Sequence, residues 1–295
     1  MFIIKYKKIF FALAVVLVGA SIITMITKGF RVGVDFTGGS VLEVTYDHRP
    51  DTALVKGHLL PMRPDAQVQE IGVNGLMVRT EPIDQATKDL ILSTLSFDGS
   101  TATEKRFNTI GPSVGKELKS KSVLAVILVS LAIILFIAFA FRKVSKPISS
   151  WTYGLIAIVV LVHDVVIPAG FFSLLGLQVD TLFVVGLLTI LGVSINDTIV
   201  VFDRIRENLH VNETKHIKED FAHTVGKSIN QTFVRSIMTS VTVLIALGAL
   251  WIWGPEATRN LAIAMFLGMF FGTYSSIFLA SPLLVVWNNR KQKKA

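Results

Sequence analysis

The sequence predicts a polytopic α-helical membrane protein: six transmembrane helices, with one small α+β (ferredoxin-like) extracytoplasmic domain between helices 1 and 2. Three observations predict it. Six apolar stretches are each long enough to cross a bilayer core of ~30 Å, which takes ~20 helical residues. Apolar residues make up 52% of the 295-residue chain and charged residues only 17%, where soluble domains carry about 25% charge. Basic residues gather beside alternate ends of the apolar stretches, as the positive-inside rule requires.

Taken in order, residues 1–8 form a cytoplasmic N-terminus carrying Lys5, Lys7 and Lys8. Residues 9–27 form transmembrane helix 1. Its basic start resembles a secretory signal, but the apolar run exceeds the usual signal core and no small-residue cleavage site follows, so it reads as a retained anchor. Residues 28–122 form the extracytoplasmic (periplasmic) domain. Transmembrane helix 2 spans 123–141 and a cytoplasmic loop 142–152. Helices 3 and 4 span 153–177 and 181–202, a second cytoplasmic loop 203–232. Helices 5 and 6 span 233–253 and 261–287, and 288–295 is a cytoplasmic tail.

Within the domain, residues 41–46 alternate as a strand does, with Leu42, Val44 and Tyr46 on one face. Residues 51–60 can be helical until Pro61 and Pro64. Residues 66–71 and 76–80 read as two strands joined through Gly72, Asn74 and Gly75. Residues 84–95 are amphipathic at helical spacing, and 101–110 is a weaker final strand. The order β-α-β-β-α-β suits a split βαβ unit. In the loop between helices 4 and 5, Ile217, Phe221 and Val225 predict a short interfacial amphipathic helix.

The basic isoelectric point of about 9.7 first suggests nucleic acid, but the charge is a topology signal. The termini and the loops at 142–152 and 203–232, together with Arg235 at the start of helix 5, hold sixteen basic residues against five acidic ones, among them Arg142, Lys143, Lys146, Lys293 and Lys294. The domain holds twelve of each. Both termini are therefore cytoplasmic, and no nucleic-acid partner is expected. Trp151, Trp251, Trp253 and Trp287 all fall at predicted span ends, where aromatic belts form, and the basic tail suits anionic lipid. No cysteine is present, which excludes disulfides, thiolate metal sites and a cysteine nucleophile. Gly111-Pro-Ser-Val-Gly-Lys116 is not a phosphate loop: three residues lie between its glycines where four are needed, and Glu117 follows the lysine.

Ionisable residues inside spans are functional-site hypotheses by default. Asp164, preceded by His163, falls near the middle of helix 3. Asp197 lies near the cytoplasmic end of helix 4 and Arg235 near the cytoplasmic start of helix 5, so both sit at comparable depth and can pair. Thr232, Arg235, Thr239 and Thr242 share one helical face, a polar stripe able to carry water or a proton. Asp164 has only His163 as a basic neighbour, pointing ~100° away on a helix. The alternative is that these groups are structural glue between helices. In helix 6, Ala264, Gly268, Gly272, Ser276 and Ala280 recur every four residues, a face for close helix packing against a neighbour in this chain or in a partner.

These residues resemble a known family. Residues 34–40 (Val-Asp-Phe-Thr-Gly-Gly-Ser), the His163-Asp164 pair, residues 192–207 starting Gly-Val-Ser-Ile-Asn-Asp, and residues 235–242 starting Arg-Ser-Ile-Met-Thr together are similar to the SecF side of the SecD/SecF family, protein-export membrane subunits of the RND superfamily. The resemblance covers nearly the whole chain. It implies a SecD partner, association with the SecYEG channel and with YajC and YidC, and exported unfolded polypeptides as cargo. It implies promotion of late export by the proton-motive force, with no enzyme activity, no ATPase motif and no cofactor; Na⁺ can replace the proton at a carboxylate.

By the same resemblance Asp197 and Arg235 form the proton-coupling pair and Asp164 matches a recurrent third-span acid; on the reading of the residues themselves, Asn196 and Thr239 stand beside them. Gly33, Gly111 and Gly115 would be hinges on which the domain moves with substrate, and Gly268, Gly272 and Ser276 the packing face. An intramembrane aspartyl protease would need two carboxylates in near contact, which these depths oppose. RND-type efflux and a passive assembly scaffold remain as rivals.

Overall fold

The computed structural model describes residues 2–97, 99–140 and 148–292. The basic residues Arg142, Lys143 and Lys146 and the tail residues Lys293 and Lys294 lie outside the described residues. The chain divides into two compact units: Val32–Val123, and the chain up to Arg31 together with that from Leu124 onward.

The smaller unit is built on a four-stranded sheet. Its strands are β1 (Gly39–Thr45), β2 (Gln67–Ile71), β3 (Gly75–Thr80) and β4 (Thr103–Ile110), and its helices α1 (Thr52–Leu59) and α2 (Gln85–Leu95). The strand order is β2-β3-β1-β4, and every neighbouring pair is antiparallel. Alternation along β1 and β3 turns Leu42, Val44, Leu76 and Val78 inward, where they meet Val55 and Leu59 of α1 and Ile91 and Leu95 of α2. Both helices start on an aspartate cap: Asp51 accepts from the Ala53 N–H at 2.8 Å and Asp84 from the Thr87 N–H at 2.9 Å. Lys88 on α2 is buried but paired, with Nζ 2.6 Å from Glu104. Before β1, residues Val34–Thr37 form one helical turn rather than a plain loop.

Among the described residues six helices are long and apolar enough to cross a membrane, as the sequence predicts: this is a multi-pass membrane protein. The first span is Lys7–Lys28, the second Pro112–Ala140, the third Ser150–Leu175, the fourth Thr181–Thr214 and the fifth Phe221–Trp253. The sixth runs Glu256–Ser275, passes through a π-helical turn at Ser276–Ala280 and continues as Ser281–Gln292. The third, fourth and sixth spans are the most buried, while the first, second and fifth are largely exposed.

Two expectations need correction. The stretch 203–232 is mostly helix rather than loop, and no separate amphipathic helix forms there. The fourth span runs on to Thr214 and the fifth begins at Phe221, leaving only a short connection. Apolar windows end where charge begins, but helical packing does not. Val201, Phe202 and Ile205 share a buried cluster with Phe221, Val225 and Ile229, and Asn208 Nδ2 donates to Ser228 Oγ and Gln231 Oε1, both at 2.8 Å.

Candidate ion-coupling site

The site is a seam between the fourth and sixth spans. Ile190, Ser194 and Thr198 on one helix face Gly268, Gly272 and Ser276 on the other, each row stepping by four residues. A Cβ on Gly268 would fall 2.1 Å from Ile190 Cδ1, and one on Gly272 would fall 3.0 Å from Ser194 Cβ. Thr198 Oγ1 and Ser276 Oγ lie 2.8 Å apart, at the start of the π-turn, a feature frequent at functional sites. The small-residue face of the sixth span thus packs within this chain.

Asp164 enters this seam from the third span. It is 0% exposed; the Ser194 hydroxyl donates to its Oδ2, while the Ser275 hydroxyl donates to the Gly272 carbonyl at 2.9 Å. Its Oδ1 lies 2.9 Å from His163 Nδ1. This corrects the expectation that the histidine points away: the two side chains converge although their Cα–Cβ directions diverge, because each has torsional reach. The His163 ring stacks on Tyr274 of the sixth span with centroids 6.0 Å apart, and Tyr274 donates its hydroxyl to the Phe10 carbonyl of the first span at 2.7 Å.

Asp197 lies one helical turn beyond Ser194 and is 6% exposed. Its near partner is Ser240 of the fifth span, whose hydroxyl lies 3.4 Å from Oδ2. Thr273 of the sixth span in turn donates to Ser240 at 2.6 Å. Arg235 is exposed and acts on Asp197 electrostatically, without a salt-bridge contact between them among the described residues. The expected polar stripe also turns out differently. Thr232 is buried, but Arg235, Thr239 and Thr242 are exposed, and Thr239 spends its hydroxyl on the Arg235 carbonyl at 2.9 Å. The buried row is Ser228, Thr232, Ser236 and Ser240, one step round the helix. Asn196 is exposed on the outer side of the fourth span.

Ser194, Ser240 and Thr273 were not singled out from sequence; the four-residue recurrence of Ser228, Thr232, Ser236 and Ser240 is the signal that could have found the face. Of the three predicted hinge glycines, Gly33 has φ −73° and Gly111 has open space where a Cβ would stand. Gly115 does not: its Cβ would lie 2.8 Å from the Gly38 backbone nitrogen. Gly38 (φ 76°) and Gly39 (φ 130°) both occupy backbone that L side chains rarely adopt. Among the described residues no cluster of His, Asp or Glu could hold a metal ion.

Residues 92–290 match the family described as protein export membrane protein SecD/SecF, C-terminal, and residues 23–48 match the SecD/SecF GG motif, which contains the Gly38-Gly39 pair. The chain belongs to the SecD/SecF family. Among its SecD/SecF relatives is the protein translocase subunit SecF of Thermobaculum terrenum, 36% identical over 98% of this chain and 94% of that protein. The protein translocase subunit SecDF of Thermus thermophilus is 36% identical over 90% of this chain, which spans only 35% of that longer protein. The crystal structure of Thermus thermophilus SecDF, described as a translocon-associated membrane protein, superposes with a TM-score of 0.85 at 33% identity. It covers 97% of this chain, and the chain covers 38% of it.

Proposed function

We propose that this chain is the SecF subunit of a SecDF accessory complex of the Sec protein translocase, using the proton-motive force to promote late steps of protein export. It works with SecD, the SecYEG channel, YajC and YidC, on exported unfolded polypeptides. It lies in the bacterial inner membrane with both termini cytoplasmic. It is not an enzyme: it has no ATPase motif of its own, and the ion gradient replaces any cofactor. The sheet unit lies outside the cytoplasm as a ferredoxin-like domain; the strand order β2-β3-β1-β4 with a helix after β1 and after β3 supports the fold.

The observation that carries the coupling reading is the burial of two carboxylates, Asp164 and Asp197, at a seam of hydroxyl-bearing side chains. Intramembrane carboxylates are expensive and mark ion pathways. One charge moving through ~100 mV is worth ~2.3 kcal/mol. Protonating Asp197 removes its attraction to Arg235, which lets the fourth and fifth spans shift and the sheet unit move with substrate, through Gly33, Gly111 and Gly115. Asn196 and Thr239 flank the path on the exposed faces, where a partner's helices complete it.

The test is release of exported protein from membrane vesicles. Asp197→Asn and Arg235→Met should each abolish the gradient-dependent part of export while assembly with the partner persists. Collapsing the proton and sodium gradients separately identifies the ion. Full gradient dependence in both variants would refute the reading and favour a passive scaffold.

A further inference from the structure

Buried polar atoms are almost always hydrogen-bonded, and one beside the seam is not. His163 is 4% exposed; its Nδ1 meets Asp164, while its Nε2 has no partner. The carboxylate it touches is closed on both sides: one oxygen faces His163 and the other takes the Ser194 hydroxyl. Pro168, four residues along, offers no N–H to the Asp164 carbonyl, so the helix ladder is also one bond short here.

We propose that His163 Nε2 is the atom through which Asp164 gains and loses its proton, the two residues holding that proton as one unit and Ser194 positioning the carboxylate. This rests on the ion-coupling reading above and adds His163 and Ser194 to it. The proton balance carries the argument. In the empty state Nδ1 bears the hydrogen and donates it to the carboxylate, so Nε2 is a bare lone pair and the pair is net negative. One added proton makes the pair neutral overall. Inside the pair it has two arrangements, imidazolium beside carboxylate or neutral imidazole beside carboxylic acid. Nε2 bears a hydrogen in both. Loading therefore forms an N–H bond at Nε2 as an O–H bond of hydronium breaks and water is left, and unloading breaks that N–H bond and returns the proton to water as hydronium. Direct entry at Asp164 would require a carboxylate oxygen to give up a partner, whereas Nε2, equally buried, has none to give up.

The surroundings leave this charge to the pair itself. Tyr274 from the sixth span stacks on the imidazole with its hydroxyl committed to the Phe10 carbonyl of the first span. Ser194 from the fourth span is uncharged, and Asp197 on the same helix has its own partner in Ser240. Among the described residues His163 is the one basic side chain within ion-pair distance of Asp164, and no lysine or arginine neutralises it.

The decisive experiment places the full-length chain, with ¹⁵N-labelled histidine rings, in lipid vesicles and records its ring-nitrogen NMR signals across pH. The His163 signals are assigned by their loss in His163→Gln. The expected result is a neutral ring with its hydrogen on Nδ1 at the alkaline end, and a hydrogen gained at Nε2 on acidification. The infrared carboxyl change that Asp164→Asn removes should appear over the same pH interval. Ser194→Ala keeps both ionisable groups, so it should retain the Nε2 step and move the carboxyl frequency. A hydrogen on Nε2 at the alkaline end, or an Asp164 change at a different pH from the His163 change, overturns the proposal.

In vesicle export, His163→Gln should lose the gradient-dependent part as fully as Asp164→Asn, and the double variant should be no worse than either. Retention in His163→Gln with loss in Asp197→Asn overturns this proposal alone. Retention in all three refutes the coupling reading, whereas the ring-nitrogen spectra still judge the role of Nε2.

Discussion

The sheet unit and the helix unit differ in how they treat polar and apolar side chains at their surfaces and contacts. In the sheet unit the interior is Leu42, Val55, Leu76, Val78, Ile91 and Leu95, and, the buried and paired Lys88 apart, charged side chains stand at the rim in pairs such as Arg49 with Glu70. In the helix unit Val15, Val16 and Ile26 are 71%, 65% and 78% exposed, whereas Ser21, Ser194, Thr198, Ser236 and Ser240 are buried. Water rewards apolar burial in the first unit. A lipid tail is as apolar as leucine, so in the second unit nothing drives a leucine inward, and close packing and hydrogen bonds decide instead. Burial of a polar residue therefore carries different meanings in the two units. At the rim of the sheet it is local capping and pairing; in the bundle it is the contact itself.

The largest effect that would break this contrast is expected at Leu42, 1% exposed in the middle of the sheet. Leu42→Ala should destabilise the sheet unit by about 3 kcal/mol, measured by urea unfolding of the full chain in detergent. A cost below ~1 kcal/mol would mean that this core is not held by apolar burial.

In the helix unit the corresponding error is addition rather than removal of volume. Gly268→Leu drives a side chain into Ile190 and should cost about 2 kcal/mol, read as earlier loss of helix packing on heating. Ile190→Ala in the same chain should recover part of that loss, since the two sites touch. No recovery would mean that the fourth and sixth spans do not meet through this pair.

A third measurement sharpens the rim of the sheet unit. Burial pushes the Asp65 carboxyl up, but the Thr80 hydroxyl, the Glu81 N–H at 2.8 Å and Arg63 at 3.0 Å outweigh it and hold Asp65 down at about 2. A depressed carboxyl stabilises above its unfolded value of about 3.9 and loses that contribution as pH falls through the folded value. Asp65→Asn should therefore cost about 1.5 kcal/mol at neutral pH, with the gap to the parent chain closing between about pH 4 and pH 2. A gap independent of pH would remove the charge from the explanation. The smallest effect is expected on the lipid side: Val16→Ala should change stability by less than ~0.5 kcal/mol, and a core-sized loss there would break the contrast from the other end.

Much of this was legible locally. Six apolar stretches announce six spans because a bilayer sets a length that composition alone can meet. The alternation Leu42, Val44, Tyr46, the prolines that stop the helix after residue 60 and the helical spacing of 84–95 announce strand and helices because these signals live within a few residues. Asp164 and Asp197 stand out because charge is rare in a span. What stayed hidden were relations between helices. His163 reads as pointing away from Asp164 on an ideal helix, yet side-chain torsions bring them to 2.9 Å. The polar face of the fifth span reads as Arg235, Thr239 and Thr242, yet Ser236 and Ser240 are the buried ones.

By itself, then, the sequence determined what kind of protein this is: where the chain is long and apolar enough to span, where it alternates, and which carboxylates cannot be reached by water without a path. These properties depend on a residue and its near neighbours. Only the tertiary structure decided that Gly268, Gly272 and Ser276 meet Ile190, Ser194 and Thr198, that Asp164 is closed by Ser194, and that Asp197 answers to Ser240 before Arg235. When the surroundings are as apolar as the helices, periodicity does not say which face turns to a neighbour and which to lipid. Shape and hydrogen bonding across the seam make that choice.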